Sequence, residues 1–291
     1  MGTGRPRPAQ KWVFQQTANK GVGSTWHLMK ILVVGDVVGA PGRDALKALV
    51  PILKGRDRID FVIANCENIA GGAGVTPKTA QELLNGGADV LTSGQHIWRH
   101  REIGPYIDSE PRLLKPANYP PGTPGVGSFV YETKAGVKVG VINLLGRVFM
   151  GVDALDDPFR VGDRLIEEIR KKTPVIIVDW HAEATSEKVV MGWYLDGKVS
   201  AVLGTHTHIQ TADERILPKG TAYLTYLGMT GPYASVIGRK IEPVLEKFLT
   251  GMPNKFDVAK ENVILCGAVV EVDPSTGRAL SIARVQEKFG C

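Results

Sequence analysis

The chain has little cysteine: Cys66, Cys266 and Cys291 are its only three, far apart and without a CxxC pair. That excludes a disulfide framework and a cysteine zinc site, and it fits a reducing compartment with each thiol buried or terminal. Long hydrophobic runs are also missing. Gly, Asp, Asn or Arg interrupts every apolar stretch well before the roughly 18 residues that cross a bilayer, so a soluble, cytoplasmic protein with no membrane partner is expected. The first 28 residues have neither periodicity nor the apolar core of a secretory signal. They read as a flexible N-terminal extension ahead of a domain spanning 29–291, with Met29 as an alternative initiator.

Acidic residues are absent from the first 30 positions, which carry Arg5, Arg7, Lys11, Lys20 and Lys30. The net charge of +5 points toward nucleic acid, but without those five cations 30 basic residues face 30 acidic ones. The body is neutral, so stable nucleic-acid binding is not expected.

What the chain does have is enough apolar material, 43% over 291 residues, for a sizeable core. Short apolar runs at Ile31–Val34, Phe61–Ala64, Val90–Leu91, Val137–Leu145, Val175–Val178 and Ala201–Leu203 predict strands. Amphipathic stretches at 43–54, 77–85, 160–172, 185–195 and 241–250 predict helices, several opened by Pro, Ser, Thr or Asp. Residues 127–145 and 263–285 read instead as hairpins, turning at Lys134-Ala135-Gly136 and at Asp273 to Gly277. Mixed parallel units and hairpins predict an α/β fold with two packed mixed sheets flanked by helices, in one domain without internal repeats.

Each predicted strand ends in a polar group. Ile31 to Gly35 leads to Asp36, Phe61 to Cys66 to Glu67-Asn68, Val90 to Gly94 to Gln95-His96, Val175 to Trp180 to His181, and Ala201 to Thr205 to His206-Thr207-His208. Ligands of α/β sheets bind beyond the carboxyl ends of strands, where groups distant in sequence converge. Of only six histidines, four stand at these ends. Alone, each residue has an ordinary reading: Asp36 as a helix cap, Asn68 as a turn former, His181 as a core histidine. Together, their carboxylate, amide and imidazole groups suit manganese, iron or zinc. Seven candidate ligands, Asp36, Glu67, Asn68, Gln95, His181, His206 and His208, exceed one tetrahedral shell and match a pair of ions roughly 3.5 to 4 Å apart. The loop Gly35 to Gly42 fits neither the GxGxxG nor the Walker spacing, and its leading acid would repel phosphate unless a cation intervened.

The blocks Gly35-Asp36-Val37-Val38-Gly39, Glu67-Asn68, Gly94-Gln95-His96, His181 to Lys188 (HAEATSEK), Gly204 to His208 (GTHTH) and Gly228 to Pro232 resemble those of the YmdB-like bacterial metallophosphoesterases, within the calcineurin-like superfamily. The resemblance implies an α/β/β/α sandwich with a dinuclear iron or manganese centre acting on phosphodiesters, including 2',3'-cyclic nucleotides. By position, Asp36, Asn68 and His208 would hold one ion and Gln95, His181 and His206 the other. Glu67 would bridge them, and His96 would stand unligated beside the phosphate. Two departures stand out: the family usually has Asn where Gln95 stands and Asp where Tyr226 stands. The extra methylene of Gln95 moves its oxygen by roughly 1 Å or more, against metal distances held within about 0.2 Å, so the second ion is expected to bind weakly.

The expected reaction is in-line attack on phosphorus by a hydroxide bridging the two ions, with His96 as the proton donor or charge stabiliser and a small phosphodiester or nucleotide as substrate. Two alternatives stay open: a metal-dependent phosphomonoesterase, and a regulatory or binding protein whose catalysis Gln95 has weakened. A homo-oligomer is compatible with the sequence. Arg147 reads either as a phosphate contact or as a surface ion-pair partner, and Glu183 either as a support for a ligating histidine or as a helix cap.

Overall fold

A computed structural model describes residues 28–290, so the expected extension, apart from Leu28, lies outside the described residues. The chain runs through β1 (Met29–Val34), α1 (Gly39–Asp57), β2 (Phe61–Asn65), α2 (Pro77–Asn85), β3 (Val90–Thr92) and α3 (Ile103–Ser109). There follow the hairpin β4 (Ser128–Glu132) and β5 (Lys138–Leu145), then α4 (Pro158–Arg170), β6 (Ile176–His181), α5 (Thr185–Leu195) and β7 (Ala201–Thr205). The short β8 (Arg215–Ile216), β9 (Ala222–Leu224) and β10 (Gly231–Pro232), α6 (Ile241–Thr250) and the hairpin β11 (Val263–Val272) and β12 (Ala279–Lys288) complete it.

The strands form two six-stranded mixed sheets, ordered β10-β11-β1-β2-β3, with β12 also on β11, and β4-β5-β6-β7-β9-β8. Alternation along the central strands explains the layering. Ile31 and Val33 of β1, with Phe61 and Ile63 of β2, share one core with Val141, Ile177 and Leu203 of the second sheet. Leu32, Val34, Val62 and Ala64, on the opposite face, pack with Leu46, Val50, Leu53 and Leu83 of α1 and α2. On the outer side of the second sheet, Ile142, Leu144, Ile176 and Val178 pack with Val161, Ile166 and Ile169 of α4 and Met191 and Leu195 of α5. Strands covered on both faces must be apolar at every position, which is why they read as runs rather than as alternation. The order of layers is helix, sheet, sheet, helix.

Helices α2, α5 and α6 match their expected spans, and both hairpins form. Helix α4 starts two residues earlier than expected because Asp157 accepts hydrogen bonds from the backbone N–H groups of Phe159 and Arg160, ahead of Pro158 in the first turn. Helix α1 is longer than the expected 43–54. It continues through Pro51 and Gly55, with Leu53 still buried, and ends where Arg58 turns left-handed (φ 56°). No helix among the described residues is long and apolar enough to cross a membrane. Cys66 and Cys266 are buried free thiols.

Candidate metal centre

Parallel pairing sends the carboxyl ends of β1, β2 and β3 in one sheet, and of β5, β6, β7 and β9 in the other, toward shared edges. In register, Asn65 lies beside Thr92, and His181 lies between Leu145 and Thr205. The two sheets bring their polar ends together. Glu67, from the loop after β2, places Oε2 2.5 Å from His181 Nε2 and Oε1 2.8 Å from His96 Nδ1. Among the described residues, Glu67, His181 and His206 each offer a ligand atom within 4.8 Å of the others.

These close approaches lack hydrogen-bond geometry. Both Glu67 oxygens, His181 Nε2, His96 Nδ1 and Gln95 Oε1 account for five of the eight buried side-chain polar atoms that have no hydrogen-bond partner among the described residues. An orphaned buried polar group costs about 1–3 kcal/mol. The Glu67, His181 and His206 atoms, all nitrogen or oxygen and within 4.8 Å of one another, form a donor set suited to a divalent cation of the manganese, iron or zinc type.

The outer nitrogens are held in place. His181 Nδ1 lies 2.8 Å from Thr205 Oγ1, whose hydroxyl donates to Asp179 Oδ1 at 2.6 Å. Asn65 Nδ2 and the Thr92 hydroxyl donate to the other Asp179 oxygen. The Thr205 oxygen thus accepts from His181 Nδ1–H, which turns Nε2 toward Glu67. Glu183 does the same for His206, meeting Nε2 at 2.9 Å, while Nδ1 faces Gln95 Nε2 at 3.3 Å. Glu183 contacts the His206 ring and does not cap α5, which has no side-chain cap.

The loop after β7 is strained. His206 (φ 102°) and His208 (φ 64°) both take left-handed backbone, at a cost of about 1–3 kcal/mol each. Hydrogen bonds hold it there: His206 N donates to both Asp36 oxygens at 3.1 Å, and Met229 N donates to His208 O at 3.1 Å. Gly94 provides the other close approach, since a Cβ there would lie 1.5 Å from Glu67 Oε2 and 2.3 Å from His181 Nε2.

The remaining expected residues stand around this group. Asn68 gives its Nδ2 to Gly72 O (3.1 Å), and His208 engages Ile237 O through Nδ1 (3.0 Å), so neither contact occupies Asn68 Oδ1 or His208 Nε2. Both residues line a cavity of about 190 Å³ with Glu67, His96, His206, Ile237 and Arg239. Asp36 is fully buried and accepts the Tyr226 hydroxyl at 2.5 Å on Oδ2. Arg147 is an exposed ion-pair partner of Asp157 (3.0 Å). Asn65, Thr92, Asp179 and Thr205 went unremarked in the sequence. Their only signal there is a polar residue closing an otherwise apolar strand.

Burial works against charge at Glu67, but His181 and His96 outweigh it and hold the carboxyl below the usual carboxylate range. His181 shows the converse: burial lowers its pKa, yet Glu67 overrides this and raises it above 6.5. Burial, reinforced by His181, pushes His206 down to about 4, so its ring is neutral at neutral pH, as a ligand requires. The raised His181 stabilises the metal-free fold at acid pH, a contribution that fades as pH rises through its folded pKa. A cation needs the neutral ring, so metal uptake at acid pH is expected to release protons and to strengthen as pH rises. Calorimetry in buffers of different ionisation enthalpy measures this, and uptake without proton release would show that His181 is not a ligand.

A family model described as "YmdB-like protein" matches residues 32–285. A 2',3'-cyclic-nucleotide 2'-phosphodiesterase of Bacillus subtilis is 51% identical over 257 residues, 88% of this chain and 96% of that protein. The crystal structure of a hypothetical protein from Thermus thermophilus superposes with a TM-score of 0.83 at 43% identity, covering 90% of this chain and 100% of that one. A phosphatase structure from Mycoplasma pneumoniae gives 0.84 at 34% identity, covering 90% and 94%. The four-layered sandwich is the metallophosphoesterase fold. Because the matched stretch takes in every polar strand end from Asp36 to His208, the chain belongs to the YmdB-like family.

Proposed function

We propose that this protein is a metal-dependent phosphodiesterase that opens small phosphodiesters such as 2',3'-cyclic nucleotides, in the cytoplasm, through one catalytic domain starting at residue 29. Asp36, Asn68 and His208 would hold one ion and Gln95, His181 and His206 the other, with the Glu67 carboxylate available to both. The observation that carries this reading is the close approach of orphaned Glu67, His96 and His181 atoms where the two sheets meet. Manganese or iron is the favoured pair, with zinc also compatible with the donors.

Such ions, when bound, supply Lewis acidity, neutralising phosphoryl charge and bringing water near neutral pKa. The chain's own groups do the rest. His96, with its side chain 41% exposed in the cavity wall, turns Nδ1 onto Glu67 Oε1 and keeps its other nitrogen for the leaving oxygen. Proton delivery at that atom contributes typically 10²–10⁴-fold. Ile237 and Arg239 form the facing wall, and the small cavity suits the phosphate end of a nucleotide rather than a polymer.

The test compares bis(p-nitrophenyl) phosphate, p-nitrophenyl phosphate and 2',3'-cyclic AMP on the manganese-loaded enzyme. Faster turnover of the diesters is expected. Preference for the monoester would make it a phosphomonoesterase, and no turnover with two ions bound would make it a binding protein. In the same assay, Gln95→Asn is expected to tighten the weaker ion by up to roughly tenfold, because the shorter side chain draws its amide back from the His206 ring, which Gln95 Nε2 approaches at 3.3 Å. Equal affinity in both proteins would show that Gln95 does not weaken the site.

A further inference from the structure

Lys188, on α5, is 1% exposed, yet its ammonium has no carboxylate within ion-pair distance among the described residues. Its polar contact is Thr207 Oγ1 at 3.3 Å, and it sits over the Tyr226 ring, 4.2 Å from the centroid. An unpaired buried cation is costly, so burying one beside a ligand cluster calls for a role. Thr207 lies between the two strained histidines. Tyr226, itself 1% exposed, donates its hydroxyl to Asp36 Oδ2, and its backbone N is fixed by Thr211 Oγ1 at 2.9 Å. A cation over a phenol ring draws electron density from the hydroxyl and makes it a better donor. The ammonium therefore reaches the cluster by two routes, the Thr207 side chain and the Tyr226 ring, without touching the substrate cavity.

We propose that Lys188 and Tyr226 are a positioning pair that orients Asp36 and, through it, sets how tightly the ion nearest Asp36 is held. A core-filling tyrosine would need no hydroxyl, and a surface lysine would not be buried over its ring. The proposal rests on the two-ion reading above, and one experiment separates them.

Metal-stripped wild type, Tyr226→Phe and Lys188→Met are titrated with Mn²⁺, with free ion followed by electron paramagnetic resonance and melting monitored in parallel. Wild type is expected to bind two ions with a spin-coupled spectrum. Tyr226→Phe should lose roughly 10- to 100-fold in affinity at one site and none at the other, so that the uncoupled six-line signal appears at intermediate loading. Lys188→Met should weaken the same site, without a lower melting temperature because it removes an unpaired charge. Unchanged affinity at both sites in both variants overturns the proposal, as does equal loss at both sites with a lowered melting temperature. A wild type that binds no Mn²⁺ overturns the metal reading first, and the pair with it.

Discussion

Replacing Glu67 by Gln is expected to cut turnover of diesters by roughly a thousandfold or more, about 4 kcal/mol of barrier, while leaving the protein folded. The Glu67 carboxylate is the only acid in the tight group with His181 and His206. Its two oxygens face two different imidazoles, at 2.5 and 2.8 Å. The amide keeps the shape but turns one oxygen into a donor aimed at a nitrogen or a cation, and it removes the charge that both ions would share. The fold should survive with some loss of stability, because the contacts with His181 and His96 that outweigh desolvation of the carboxylate are lost while the apolar cores on either side are untouched. Elemental analysis should find about one ion or fewer where wild type holds two. If the variant holds two ions and turns over normally, Glu67 is not the bridge.

The second large effect is expected from the smallest change, Gly94→Ala. Its methyl would overlap Glu67 Oε2 and crowd His181 Nε2, at 1.5 and 2.3 Å, and neither group is a free end that swings aside. Glu67 is 1% exposed and His181 is wholly buried, so the loop after β3 or the cluster itself must shift. Overpacking of this kind costs about 1–3 kcal/mol of stability. The loss of activity should be far larger, again roughly a thousandfold, because ligand geometry tolerates about 0.2 Å. A variant that melts a few degrees lower, keeps its circular dichroism and loses its metal fits this account. Full metal content with normal turnover would mean that the loop relaxes at no cost to the site.

Much of this was legible in the sequence, for identifiable reasons. The strand runs were readable because strands covered on both faces, such as Phe61–Asn65, have no polar alternation to blur them. The site residues were readable because they follow those runs directly, so that locating a strand end also located His181 or His206. Helix starts were less legible. Asp157 capping α4 moves the boundary ahead of the amphipathic stretch, and the two-residue strands β8 and β10 have no period at all. Within the site, Asp179 and Thr205 were hidden because a residue that orients a ligand looks like any polar strand terminus until its partner is in place. Lys188 was hidden for the opposite reason: a lysine on a helix is ordinarily solvated, and only the packing of α5 shows that this one is not.

The candidate ligands divide between the layers, with Asp36, Glu67, Asn68 and Gln95 following strands of one sheet and His181, His206 and His208 belonging to the other. Neither half of the chain can therefore assemble the centre. A nascent polypeptide released as far as Gln95 carries four of the seven groups and none of the three candidate ligand imidazoles. Cation capture through these seven groups would thus come late, a clasp fastened after the sheets have stacked, rewarding only chains in which the whole sandwich has closed.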